Sequence, residues 1–397
     1  MVCISVPLFG GQSCNMLCRY CCGELKDTEE WRNKKDSIKL DIDAFKKTLL
    51  SNPMVVEELK KPYEERHLDQ WIWGGEPLIH LDAIKEWLQL CWDNLHDTFP
   101  KLTYAMSTNG IAIADDDTFK FITDNGICLQ LSHDGLGQWV RSGKFDPLYD
   151  IVTGPRLVTL ANMGLLRWIN CTLSSVNPSF FDNIKYFNDW REKYHLMDCN
   201  TLSEIKLNHI YDGDYDLNLS DHGFSEHQNL ALTGEVLDKY MHEFESLAIM
   251  LRFISPENKY YLPFRGYIIE QTKRYNFMQS HDSDSGSCRS FQRGLKDWTF
   301  VIDTIGKYCQ CNLHDSSTNV DSPGGPQPEY CKGCEFELYT ECNPCGAEQF
   351  PKKCEYHKAL ARMCMRMREL DKWMNATNNT KDTKDTKDKI DGNRDRD

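Results

Sequence analysis

The chain has 397 residues, 40% of them apolar, and 46 Lys and Arg against 60 Asp and Glu give it a net charge of -14. That acidic balance argues against non-specific nucleic-acid binding, and no apolar run approaches membrane-spanning length. The apolar content can bury one large core plus a small appended domain. The 18 cysteines, without a secretory leader pattern, predict thiols kept in a reducing, cytoplasmic compartment.

The first chemical signal is Cys14, Cys18 and Cys21, spaced C-x3-C-x2-C within CNMLCRYCC. Three thiolates on one short loop can hold three irons of a [4Fe-4S] cube and leave the fourth iron open to a small chelating molecule. A structural zinc loop is the alternative reading of the same trio. After a predicted helix over 41–50, the apolar, aromatic stretch 68–73 (LDQWIW) reads as a strand running into Gly74-Gly75-Glu76-Pro77. The two glycines allow the backbone close to a ligand, and Glu76 offers an acceptor for an ammonium group.

Strand and helix then alternate. Strands are predicted over 101–106, 128–131, 167–173 and 204–210, with helices over 81–95, 115–124, 154–163 and 179–194 between them. Asp115 and Ser179 stand in helix-capping places. Three of the strands end in short polar runs: Ser107-Thr108-Asn109-Gly110, Ser132-His133-Asp134-Gly135 and Ser174-Ser175-Val176-Asn177. A parallel α/β sheet binds its ligands at such carboxyl ends. His133 and Asp134 are the acid–base candidates there. The acidic loop over 211–230, with Asp212, Asp214, Asp216 and His222, reads first as a solvated surface, and a long helix is predicted over 234–253.

Nine of the 18 cysteines fall between Cys288 and Cys364. A β-hairpin with its turn at Gly306 is predicted over 298–309. The pairs Cys331/Cys334 and Cys342/Cys345 also have the form of zinc knuckles. Cys364 lies in HKALARMCMRMREL, the pattern of a helix core. From Ala376 onward a T-K-D repeat with one apolar side chain after it predicts a disordered tail, 376–397.

The loop Cys14-x3-Cys18-x-Tyr20-Cys21, followed by Gly74-Gly75-Glu76-Pro77, resembles the radical S-adenosylmethionine (SAM) enzymes. The resemblance implies a partial (β/α)6 TIM-like barrel over 1–212, with SAM chelating the open iron of a [4Fe-4S] cluster. One electron then gives a 5'-deoxyadenosyl radical that abstracts hydrogen from the substrate. It further implies that Tyr20 fills the aromatic position and that Gly74, Gly75, Glu76 and Pro77 take the SAM amino group. Ser107, Asn109 and Ser132 would face the ribose, and Ser174 or Asn177 would lie near the carboxylate or ribose. A connecting segment over 213–280 would help to close the substrate cleft.

The later cysteines are similar in order to the SPASM extension, a small cysteine-rich α+β unit expected here over 281–375. Their spacing departs from that pattern: Cys334 to Cys342 is longer and Cys342 to Cys345 shorter than in the family. The resemblance assigns Cys288, Cys311 and Cys345 to a nearer auxiliary [4Fe-4S] cluster, with Cys309 as candidate fourth ligand. It assigns Cys331, Cys334, Cys342 and Cys354 to a farther one, making three clusters in all. The implied protein is a monomeric maturase of the anaerobic sulfatase-maturase type, fed by a flavodoxin or ferredoxin and acting on a peptide or protein. A radical SAM dehydrogenase or epimerase of a small metabolite is the alternative, and a non-catalytic iron–sulfur or zinc protein a third.

Overall fold

The computed structural model describes residues 1–8, 13–16, 18, 20, 38–199, 202–209, 216–218, 227–272, 300–309 and 353–391. Six strands lie side by side in chain order, every pair parallel: β1 (Val2–Pro7), β2 (His67–Trp73), β3 (Lys101–Thr108), β4 (Cys128–Ser132), β5 (Leu166–Leu173) and β6 (Glu204–His209). Parallel neighbours need a crossover at each step. The crossovers carry α1 (Ile42–Ser51), α2 (Pro53–Glu58), α3 (Leu81–Leu95), α4 (Asp116–Asp124), α5 (Gln138–Ser142), α6 (Thr153–Asn162) and α7 (Phe180–Lys193). This is the α/β partial barrel of six units predicted above.

Local chemistry sets the helix starts. Asp41, Asn52, Asp115 and Ser179 each accept a bond from a backbone N–H of the first turn, at 2.8–3.2 Å. The strands alternate as a sheet covered on one side requires. Ile4, Leu68, Ile72, Met106, Leu131 and Ile169 are fully buried under the helices. Trp71, Trp73, Ser107, Gln130 and Asn170 point to the opposite, half-buried face. On the helical side Phe45 of α1 meets Trp87 of α3 edge-on at 4.8 Å, and Trp87 Nε1 donates to Gln70 Oε1 at 3.1 Å.

Glu58, at the end of α2, accepts from Lys61 Nζ at 2.8 Å, the Met1 ammonium at 2.9 Å and the His67 N–H at 3.1 Å. Burial works to raise its carboxyl, but these three donors outweigh it and hold the group down to about 2. A carboxylate depressed in the folded state stabilises above its ordinary value near 4.5 and loses that contribution as pH falls toward 2. Because its cationic partners are exposed, we expect only about 1–2 kcal/mol from it. Urea midpoints of wild type and Glu58→Gln should therefore differ at pH 6 and converge near pH 2. A gap that stays constant across that range would refute the assignment.

Past the barrel, β7 (Asp216–Asn218) and β8 (His227–Asn229) form a separate antiparallel pair. Next come α8 (Gly234–Phe253), α9 (Leu262–Thr272), β9 (Phe300–Ile302), β10 (Tyr308–Cys309) and α10 (Lys353–Asp391). Glu243 of α8 accepts from Ser179 Oγ at 2.8 Å and from the Phe180 N–H at 2.9 Å, an anion on the amino end of α7. Phe180 stacks on Phe244 at 5.0 Å. In α10, Arg366 binds Glu245 through two bonds of 2.6 Å, and Asp371 takes two from Arg252, at 2.6 and 3.1 Å.

Two features differ from the sequence expectation. The predicted hairpin exists as β9 and β10, but β9 pairs in parallel with β1 and extends the barrel sheet to eight strands. Its turn docks on α1. The Asp41 N–H donates to the Thr304 carbonyl at 2.7 Å, and Thr48 Oγ1 to the Gly306 carbonyl at 2.6 Å. Gly306 sits at φ 79°, where a Cβ would strike the Ala44 backbone. The second difference is α10, which runs to Asp391, through most of the stretch predicted to be a disordered tail. Lys353 to Asp391 contains no Gly or Pro, and Gly392 follows directly. Backbone propensity therefore does not end the helix at Ala376, where the apolar side chains run out.

Among the described residues no helix is long and apolar enough to cross a membrane.

Candidate active site at the carboxyl ends of the strands

Strand β1 leads directly into the cysteine loop, so the loop starts at the carboxyl edge of the sheet. Three further strand ends then pin it. The Glu76 N–H, after β2, donates to the Ser13 carbonyl at 3.0 Å, and Ser13 Oγ lies 2.7 Å from His80 Nε2. Asn109, after β3, donates through Nδ2 to Asn15 Oδ1 at 2.7 Å and approaches Cys14 Sγ at 3.9 Å. The Met16 N–H points to the same sulfur at 3.4 Å. Tyr20 donates its hydroxyl to Asp134, after β4.

The turn after β2 uses glycine for its backbone. Gly74 and Gly75 sit at φ 129° and 50°, a pair of conformations that side chains disfavour. Glu76 is 1% exposed. Its carboxylate accepts from Thr108 Oγ1 at 2.8 Å, the Asn109 N–H at 2.6 Å and the Leu78 N–H at 3.2 Å. Burial pushes this carboxyl up against the pull of those donors. Glu76 thus fastens the ends of β2 and β3 together and caps the short 3-10 turn Pro77–His80.

Asp134 is fully buried. Besides Tyr20 it accepts from the Thr172 N–H at 3.2 Å, and Arg141 Nη1 lies 3.7 Å from its other carboxylate contact, Oδ1. Arg141, on α5, also donates to the Tyr20 hydroxyl at 3.3 Å. Burial disfavours the Arg141 cation, but its neighbours Tyr20, Cys18 and Asp134 more than offset that. Burial likewise pushes the Asp134 carboxyl and the Tyr20 phenol above their ordinary ranges. The Tyr20 ring joins Trp139, Val140, Val176 and Leu230 in a small apolar cluster over the site.

The donor set fits an iron–sulfur cluster with a charged ligand. Cys14 and Cys18 are half-buried thiols on the pinned loop, and Arg141 Nε is buried near them without a hydrogen-bond partner among the described residues. Cys21 lies outside the described residues, and among those described no group of three metal-ligating side chains converges.

No family model and no curated protein sequence matches the chain. Among solved structures, native anSMEcpe with bound AdoMet is similar with a TM-score of 0.57 and 15% identity, covering 95% of this chain and 100% of that one. The same protein with bound AdoMet and Cp18Cys peptide gives 0.55 and 15%, covering 96% of this chain and 100% of that one. The fold is the α/β partial barrel that anSMEcpe also has.

Within this fold the predicted residues divide into groups. Gly74, Gly75, Glu76, Pro77, Asn109, Ser132, His133, Asp134, Ser174 and Asn177 all lie at the carboxyl ends of β2 to β5. Several are already committed to the protein. The Asn177 carboxamide donates to the Asp134 carbonyl at 2.9 Å and exchanges bonds with Asn183. Ser174 and Asn177 bridge each other through their backbones. His133 is fully buried: Nδ1 accepts the Gly135 N–H at 2.9 Å, so Nε2 carries the proton and donates it to Asp146 at 2.9 Å. Ser107 lies within β3, its hydroxyl bonded on the open face of the sheet.

Arg141 was not singled out from the sequence. It belongs to a five-residue helix without periodicity, and its one local signal is proximity to the Asp134 turn. Cys288, Cys311, Cys331, Cys334, Cys342 and Cys345 lie outside the described residues, as do Asp212, Asp214 and His222. Cys309 closes β10 and Cys354 lies in the first turn of α10, both described as backbone. Cys364 is fully buried in the core and donates to the Gln271 carbonyl at 3.4 Å, in keeping with the helix-core reading.

Proposed function

We propose that this chain is a radical SAM enzyme that modifies a residue of a peptide or protein. The observation that carries the reading is the convergence of three strand ends, through Glu76, Asn109 and Asp134, on the loop bearing Cys14 and Cys18. Cys14, Cys18 and Cys21 would hold the cluster, and the glycine turn at Gly74-Gly75 would let its carbonyls reach a bound ammonium group. The group supplies, when bound, one-electron reductive cleavage of a sulfonium and hydrogen abstraction from the substrate.

This chain's own residues do the positioning. Asp134 orients the Tyr20 hydroxyl and anchors the Arg141 guanidinium, a cation available to a carboxylate. Tyr20, Trp139 and Leu230 form an apolar cluster that would keep water from the cysteine loop. Glu76 keeps the ends of β2 and β3 in register, so the cysteine loop has one seat. His133, with both ring nitrogens engaged, and Asp134, with both carboxylate oxygens engaged, support the turn, which leaves the acid–base step to a group on the substrate.

The fold shared with anSMEcpe, which was solved with AdoMet and a peptide, supports the peptide reading over a free metabolite. The cysteine order after Cys288 supports two auxiliary clusters, a reducing cytoplasmic setting and a flavodoxin- or ferredoxin-type donor. Anaerobic reconstitution tests this directly. About twelve irons per chain support three clusters, about eight remove one auxiliary cluster, and about four with bound zinc restore the ribbon reading of the later cysteines. Reduced protein given SAM should form 5'-deoxyadenosine; a colourless, zinc-loaded chain that forms none overturns the proposal.

A further inference from the structure

Two hydrogen-bond relays cross the open face of the sheet, from opposite sides. In one, Trp71 Nε1 on β2 donates to Ser107 Oγ on β3 at 2.9 Å, and that hydroxyl donates to Gln130 Oε1 on β4 at 3.1 Å. In the other, the Tyr267 hydroxyl on α9 donates to Asn208 Oδ1 on β6 at 2.6 Å, and Asn208 Nδ2 donates to Asn170 Oδ1 on β5. The first relay starts from a group that can only donate, and in the second the Tyr267 hydroxyl is the donor. The indole N–H can only donate, so Ser107 accepts it, and the serine proton goes on to the Gln130 carbonyl oxygen. Both relays therefore end in a carboxamide whose oxygen is used and whose NH2 has no partner among the described residues: Gln130 Nε2 and Asn170 Nδ2.

These ends lie on adjacent strands. Gln130 is opposite Trp168, and Asn170 is opposite Ser132, so the two amides are diagonal neighbours one pleat apart on one face. Trp168 lies beside them with its ring 5.1 Å from that of Trp71. The geometry points to a binding site for a neutral amide carbonyl, the backbone of an extended peptide, across Gln130 and Asn170. Carbonyls on one edge of an extended segment repeat about every 6.6 Å, comparable with the offset between the two donors. Two neutral donors beside the Trp168 indole suit an uncharged acceptor, whereas a carboxylate leaving water calls for a cation. The nearest in register, Lys206 opposite Asn170, is turned to Glu204 at 3.4 Å. The site rests on the proposed function and names its substrate class.

The test uses the full reconstituted chain and a mixture of Ac-Ala-X-Ala-NH2 peptides, read by saturation-transfer NMR, with sodium acetate as the charged competitor. Gln130→Glu and Asn170→Asp each keep the oxygen that receives the relay and replace only the terminal donor by an acceptor. Peptides should bind the wild type saturably, acetate should not displace them, and each variant should bind at least tenfold more weakly at an unchanged unfolding midpoint. Equal binding by the folded variants overturns the site, as does displacement by acetate or no peptide signal on the wild type. Should one variant not fold, the other decides. Failure of the wild type to form 5'-deoxyadenosine is scored separately, and would overturn the proposed function rather than this site.

Discussion

Replacing Cys14, Cys18 and Cys21 together by Ala should give a folded chain that has lost about four irons and forms no 5'-deoxyadenosine. Folding should survive because Cys14 and Cys18 are half-buried loop residues outside the hydrophobic core. The core is built from β1 to β6 and the helices over them, and keeps all of its large apolar side chains. Irons held elsewhere would remain, so the difference between variant and wild type counts this loop alone. Sulfonium cleavage persisting at more than a trace in the triple variant would place the reactive cluster on other cysteines. An unchanged iron content would say the same.

The second large effect is expected at Glu76. Truncation to Ala would leave the Thr108 hydroxyl and the Asn109 and Leu78 N–H groups buried without their acceptor. Each orphaned donor costs about 1–3 kcal/mol, so we expect a loss of about 3–5 kcal/mol in urea unfolding. Glu76→Gln keeps one acceptor oxygen but turns an NH2 toward another donor, and should cost about 1–2 kcal/mol. The same variants should reconstitute poorly, since the Glu76 N–H holds the Ser13 carbonyl and with it the start of the cysteine loop. Full stability in Glu76→Ala would mean that the strand ends are held by something other than this carboxylate.

The strands from β2 to β6 and most of the long helices were legible in the sequence because they are local. LDQWIW gathers four apolar and aromatic side chains within six residues, and Asp115 and Ser179 announce helices by capping them. β1 was harder. In VCISVP both Ser5 and its apolar neighbours are buried, so no alternation marks the strand. The parallel seat of β9 on β1 joins residues nearly 300 positions apart, and nothing near Phe300 encodes that partner. At the site, residue types were readable and their commitments were not. Whether Glu76, His133 and Asn177 face a ligand or one another depends on Thr108, Asp146 and Asn183, which arrive from other elements. Arg141 shows the converse: an unremarkable residue of a short helix becomes significant only once Tyr20 and Asp134 fold around it.

The seat of β9 bears on how the chain can be divided. A fragment ending near residue 272 would contain the whole six-unit barrel yet expose the backbone donors and acceptors along β1, which β9 otherwise satisfies. The turn at Gly306 would also vacate its place on α1. Such a raw margin invites self-association, and it belongs to the strand that delivers the chain to Cys14. Solubility of the barrel is thus underwritten by residues encoded far downstream, among the late cysteines.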